Sequence, residues 1–154
     1  MHIHVISVGR LKSGPERDLI DEYLKRAAPV GRSLGVRSIT EIEVASGGGM
    51  DAEGDRLMDK IPAGAHVLRL DEGGKSQRSV VFAENLRKLA DQGVPELVFL
   101  IGGAEGYSQA VREAAPNMLA LGPQTWPHRL ARAMLVEQIY RAVSILAGSP
   151  YHKA

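Results

Sequence analysis

The run Leu97-Val98-Phe99-Leu100-Ile101 stops abruptly at Gly102-Gly103-Ala104-Glu105-Gly106. A short apolar run bounded by Pro95 and by paired glycines reads as a buried strand rather than a helix. Its carboxyl end opens into a glycine-rich loop, the place where open α/β sheets hold ligands. A second short run, Met118 to Leu121, leads into Gly122-Pro123-Gln124-Thr125-Trp126-Pro127. Two strand-to-loop exits so close in sequence predict one pocket built by both.

The remaining chain supplies the elements such a strand requires. His2 to Val8 alternates polar and β-branched residues and reads as a strand ended by Gly9. Gly14-Pro15 then opens a helix carrying Leu19, Ile20, Tyr23, Leu24 and Ala27 at helical spacing, expected to stop near Pro29. Val36 to Val44 is a second strand with Ile39, Ile42 and Val44 inward; Ser46 to Gly49 is a surface loop; Asp51 to Lys60 is a short acidic helix. His66 to Asp71 is a strand, with Asp71 to Lys75 expected to turn at its end. Ser79 is the expected N-cap of a helix whose apolar stripe includes Val81, Phe82, Ala83, Leu86, Leu89 and Ala90. Pro127 starts a last helix running to about Ala147, with a wide apolar face. The repeated order of strand, glycine turn and helix predicts one α/β domain over 1–154, an open, mostly parallel sheet with helices on both faces.

Composition narrows the function. With 154 residues and 44% apolar content the chain can bury one real core, and no apolar run approaches the ~18 residues of a membrane span. The absence of cysteine removes disulfides and thiolate chemistry and makes a cytoplasmic location the expectation. The net charge of +1 hides an uneven layout. From Glu41 to Glu72 eight acidic residues face three basic ones, whereas from Gln124 onward Arg129, Arg132, Arg141 and Lys153 face only Glu137. A basic C-terminal part permits an anionic partner.

Two nucleotide motifs are excluded. Ser46 to Gly49 lacks the Gly-Lys-Ser/Thr ending of a phosphate loop, and the lone Gly9 after the first strand is not a dinucleotide fingerprint. Asp71 and Glu72 lack the third carboxylate or histidine that would make a metal site, so none is expected. The tail Tyr151-His152-Lys153 is either fraying surface or a segment folded back on the pocket. In the second case Tyr stacks or donates, His titrates near neutrality and Lys meets phosphate.

Several blocks together are similar to one family: Leu70-Asp71-Glu72-x-Gly74-Lys75, Phe99-x-Ile101-Gly102-Gly103-x-Glu105-Gly106, Thr125-Trp126-Pro127-His128, Glu137-Gln138-x-Tyr140-Arg141-Ala142 and Pro150-Tyr151-His152-Lys153. They resemble the small SPOUT-class methyltransferases that methylate N3 of a pseudouridine in the helix 69 loop of large-subunit ribosomal RNA. The resemblance covers nearly the whole chain. It implies a C-terminal trefoil knot, which periodicity could not have suggested because knots are rare. It implies S-adenosylmethionine held by Leu70, Gly102, Leu121, Gly122, Pro123, Gln124, Thr125 and Trp126, without a metal. A homodimer is also implied, with the tail over the methyl-transfer centre and the active site drawn from both subunits. His152 then assists the proton or orients the base, Tyr151 positions it, and Arg132, Lys153 and Arg10 meet RNA. His128, beside the cofactor loop, is expected to be structural. Lys153 departs from the arginine of some relatives, which removes a bidentate fork. Two rivals use the same residues: an α/β enzyme binding adenosine alone, and a non-catalytic RNA-binding module.

Overall fold

The computed structural model describes residues 1–153. Five strands and five helices alternate: β1 His2–Val8, α1 Pro15–Ser33, β2 Ser38–Val44, α2 Met50–Lys60, β3 His66–Ser76, α3 Ser79–Asp91, β4 Glu96–Ile101, α4 Gln109–Ala114, β5 Met118–Ala120 and α5 His128–Leu146. The sheet order is β2-β1-β4-β3-β5 with every pairing parallel. The expected central strand, β4, is the middle one.

Its apolar run follows from burial on both sides. Leu97, Phe99 and Ile101 pack toward α1, α3 and α5 among Ile20, Phe82 and Leu135. Val98 and Leu100 pack the other way, toward α2 and α4 among Leu57 and Val111. A strand covered twice has no solvent face, so alternation disappears. Burial of each large aliphatic or aromatic side chain here contributes about 1.5–3 kcal/mol before entropy is counted.

Four local expectations are corrected. Helix α1 does not end near Pro29 but runs on to Ser33. Proline removes only one backbone donor, and the turn beyond it packs Gly31 against Val36 and Ile39 while the Gly31 carbonyl accepts from Leu34 N–H and Val36 N–H, both at 2.9 Å. The Asp71 to Lys75 turn is instead a bulge inside β3. Asp71 accepts from Gly73 N–H at 2.9 Å, the register against β5 jumps between Leu70 and Lys75, and pairing then resumes. Gly74 permits this, since a Cβ there would lie 2.8–2.9 Å from Cβ and the carbonyl carbon of Met118. Ser79 is not the cap of α3. Arg78 occupies that position, and Ser79 Oγ donates to Gln138 Oε1 on α5 at 2.7 Å. Val81 lies outside the buried stripe, at 40% exposure, whereas Phe82, Ala83 and Leu86 are buried.

The wide apolar face of α5 is largely covered within the chain, by α1, α3 and the sheet. Two polar residues of this helix, Arg132 and Ser144, are buried at 3% and 0% exposure. Among the described residues no helix is long and apolar enough to cross a membrane.

Candidate functional site

The bulge of β3 and the carboxyl ends of β4 and β5 converge on one cavity of about 290 Å³. Leu70, Gly102, Leu121, Gln124, Thr125 and Trp126 line it, so six of the eight residues expected to hold the cofactor meet there. Gly122 instead lines a neighbouring cavity with Glu137 and Gln138, and Pro123 borders neither.

The walls are fixed by hydrogen bonds of the loops themselves. Trp126 Nε1 donates to the Leu121 carbonyl at 2.8 Å, closing the second loop on itself. Thr125 Oγ1 donates to Glu72 Oε2 at 2.5 Å, fastening that loop to the β3 bulge. Beneath both lies Tyr107, missed by sequence reasoning although it directly follows Gly106. Its hydroxyl sits 2.6 Å from the Leu70 carbonyl and 2.9 Å from that of Leu100, and its ring lies against Gly102, where a Cβ would approach it to 3.0 Å. Burial raises the Tyr107 phenol well above its ordinary value, so it stays a donor at any physiological pH. The glycine of the motif is therefore required by Tyr107, which clamps two strand ends together.

Two carboxylates, Asp71 and Glu72, also face the cavity. Asp71 Oδ2 is 3.5 Å from Nε of buried Arg69, whose guanidinium also donates to the Ala115 carbonyl. Arg112 is the cationic side chain on the lining, and its Nε donates to the Tyr107 carbonyl at 3.2 Å. His128 contributes to the rim at the first turn of α5. Among the described residues no group of three His, Cys, Asp or Glu side chains is arranged to hold a metal ion.

The tail does fold back, but onto α5 and not over this cavity. Tyr151 packs on Tyr140 with ring centroids 4.5 Å apart, lies under the Arg141 guanidinium, and donates to Glu137 Oε1 at 3.2 Å. Burial first, then Tyr23 and Glu137, raise its phenol above the ordinary value. Arg141 Nη1 lies 3.1 Å from His152 Nδ1. Because a guanidinium only donates, that contact makes Nδ1 the acceptor and leaves the proton on Nε2. Lys153 is exposed. Neither Tyr151 nor His152 lines the cavity of its own chain.

The expected phosphate contact of Arg132 is corrected. Its Nη1 pairs with Glu43 at 2.6 Å and Glu41 at 3.2 Å, and Nη2 donates to the Gly9 carbonyl at 3.0 Å. Arg17 joins both carboxylates from α1. Its hydrogen bond to Glu41 holds the Arg17 guanidinium above its ordinary value and permanently charged. A buried guanidinium already matched by two carboxylates has a structural role in this chain. Arg10, by contrast, is exposed where it was expected, in the loop after β1.

Comparison with known proteins agrees with this geometry. A family model described as "Predicted SPOUT methyltransferase" matches residues 1–152. The chain is 59% identical over 154 residues to the Ribosomal RNA large subunit methyltransferase H of Hyphomonas neptunium, covering 100% of both. It is 51% identical over 154 residues to the protein of that name from Phenylobacterium zucineum, and 49% over 155 residues to that from Dinoroseobacter shibae, covering 99% of each chain in both cases. The chain therefore belongs to the SPOUT methyltransferase family, whose parallel α/β fold carries a C-terminal trefoil knot.

Proposed function

We propose that this protein is a single-domain, cytoplasmic, homodimeric enzyme that methylates N3 of a pseudouridine in the helix 69 loop of large-subunit ribosomal RNA. S-adenosylmethionine is the donor. The observation that carries the reading is the cavity at the β3 bulge and the β4 and β5 ends, clamped by Tyr107 and bordered by Asp71 and Glu72. Its character fits that donor. Carboxylates favour a ligand bearing ammonium and sulfonium charge and disfavour a polyphosphate, and the mostly apolar remainder suits an adenine ring. The relatives, named as large-subunit ribosomal RNA methyltransferases, support the acceptor class.

The bound donor supplies an electrophilic methyl carbon on sulfur. An acceptor N3 that has given its proton to solvent would take that methyl carbon, the carbon–sulfur electron pair staying on sulfur. Charge on the N3 anion spreads to the two flanking ring carbonyls, so donors aimed at those oxygens lower the barrier. His152 is suited to this, and Tyr151, its hydroxyl committed to Glu137, positions the base. His152 presents Nε2–H while Arg141 holds Nδ1, so it orients and stabilises the base instead of taking its proton. Their position on α5, outside the cavity of their own chain, supports delivery to the cavity of a second copy. Lys153 then meets RNA phosphate as a point charge. His128 shapes the rim.

His152→Ala tests the assignment. Single-turnover methylation of ribosomal particles lacking the mark is expected to fall by about 10²-fold, with S-adenosylmethionine affinity by calorimetry unchanged. An unchanged chemical rate removes His152 from the reaction.

A further inference from the structure

A second cleft, of about 500 Å³, adjoins the first and shares Gly103, Ala104 and His128 with it. Arg10 from the β1 loop and Arg129 from the first turn of α5 line it, both exposed. Neither has a carboxylate within salt-bridge distance among the described residues. Two carboxylates line the cleft. Glu53 is buried and accepts the Gly47 N–H at 2.9 Å, and Glu105 is exposed on the glycine loop.

Arg10 is presented by a built support. The residue before it is held by Arg132, which donates to the Gly9 carbonyl at 3.0 Å. The residue after it is held by Glu43, which accepts Leu11 N–H at 2.7 Å. Arg132 and Glu43 pair with each other at 2.6 Å, closing a bracket around the one residue left facing outward. The opposite wall has its own bracing, since Arg56 donates to the carbonyls of Ala45 and Gly47 at 2.9 and 2.7 Å. Two unpaired guanidinium groups on a fixed frame, beside the methyl-donor cavity, match the chemistry of nucleic-acid backbone.

We infer that this cleft seats the backbone phosphates of the RNA strand flanking the methylated nucleotide, with Arg10 and Arg129 as the contacting residues. The inference rests on the RNA methyltransferase reading and adds to it the route by which the strand reaches the cavity. Both arginines act in positioning; neither touches the reacting atoms. Glu105 opposes them, so the seat is weaker than two arginines alone would make it.

The test uses full-length protein, a hairpin RNA with pseudouridine in its loop, and ribosomal particles lacking the mark. Arg10→Ala/Arg129→Ala is expected to weaken hairpin binding several-fold and to lower the slope of log affinity against log salt by roughly 1 to 2. KM for the particles rises while the single-turnover rate at saturation and the S-adenosylmethionine affinity stay put. Arg10→Lys/Arg129→Lys recovers most of the slope, because a phosphate contact needs charge more than a fork. Glu105→Gln tightens binding. If the wild type methylates and the double alanine variant keeps its affinity and slope, the cleft is overturned and the enzyme reading stands. If the wild type neither binds the hairpin nor methylates particles while still binding S-adenosylmethionine, the RNA reading falls and takes the cleft with it.

Discussion

The donor cavity and the C-terminal tail differ in how much of each one chain can build. Around the cavity, every loop is fastened by the same chain: Trp126 to Leu121, Thr125 to Glu72, Tyr107 to Leu70 and Leu100. The tail is equally well held, by Tyr140, Glu137 and Arg141, yet it is held away from the cavity. If the tail of a second copy completes the site, as proposed above, a monomer can bind the donor while methyl transfer needs the two regions brought together. Partition of this kind separates binding from chemistry experimentally.

The sharpest way to break the contrast is complementation. Two impaired proteins, one carrying His152→Ala and the other Gly102→Val to fill the space against Tyr107, are expected to regain methylation when refolded together. Each mixed dimer then holds one cavity and one tail that are both intact. No recovery, with mixed dimers demonstrated by mass, sinks transfer between subunits.

Gly74→Ala is expected to cost about 1–3 kcal/mol in urea unfolding, because the new Cβ meets the backbone of β5. The cavity should suffer before the tail does, so donor affinity falls while near-ultraviolet signals from Tyr140 and Tyr151 persist. Tyr107→Phe leaves two strand-end carbonyls without their shared donor. About 1–2 kcal/mol of stability is expected to go, together with measurable donor affinity.

Acid addresses the frame behind the Arg10 loop. Burial pushes the Glu43 carboxyl up, but Leu11 N–H, Arg132 and Arg17 pull it down further, leaving it below its ordinary 4.5. A carboxyl depressed in the folded state adds stability above its unfolded value, and that stability is lost as pH falls through the folded value. Glu43→Gln should therefore flatten the loss of stability seen in urea titrations below about pH 4.5, while leaving the tail contacts untouched. The smallest effect is expected at Val81→Ser, within about 0.5 kcal/mol at an exposed position, against about 3–5 kcal/mol for Phe82→Ala beside it.

What the sequence made legible was whatever depends on local pattern. The run 97–101 marked a central strand, the glycines marked its exit, and Pro127 marked the start of α5. Features set by partners distant in sequence were not legible. Arg132 reads as a surface cation until Glu41 and Glu43 on β2 are placed beside it, at separations of 91 and 89 residues. Asp71 to Lys75 has the composition of a turn and forms a bulge, because β5 is there to pair with its far end. Tyr107 carries no motif; only the meeting of the β3 and β4 ends gives its hydroxyl two acceptors. The resemblance supplied the knot and the role proposed for the tail, which periodicity alone could not.

The hydrogen bond from Arg132 to the Gly9 carbonyl spans 123 residues. A chain emerging in order from its amino end must make the β1 loop first and its anchor nearly last, so Arg10 cannot be set in its final place until α5 has been synthesised and docked. Fragments that end before residue 132 lack this anchor even where β1, β2 and β4 have paired. The face inferred to meet RNA thus takes its final shape only once α5 is in place.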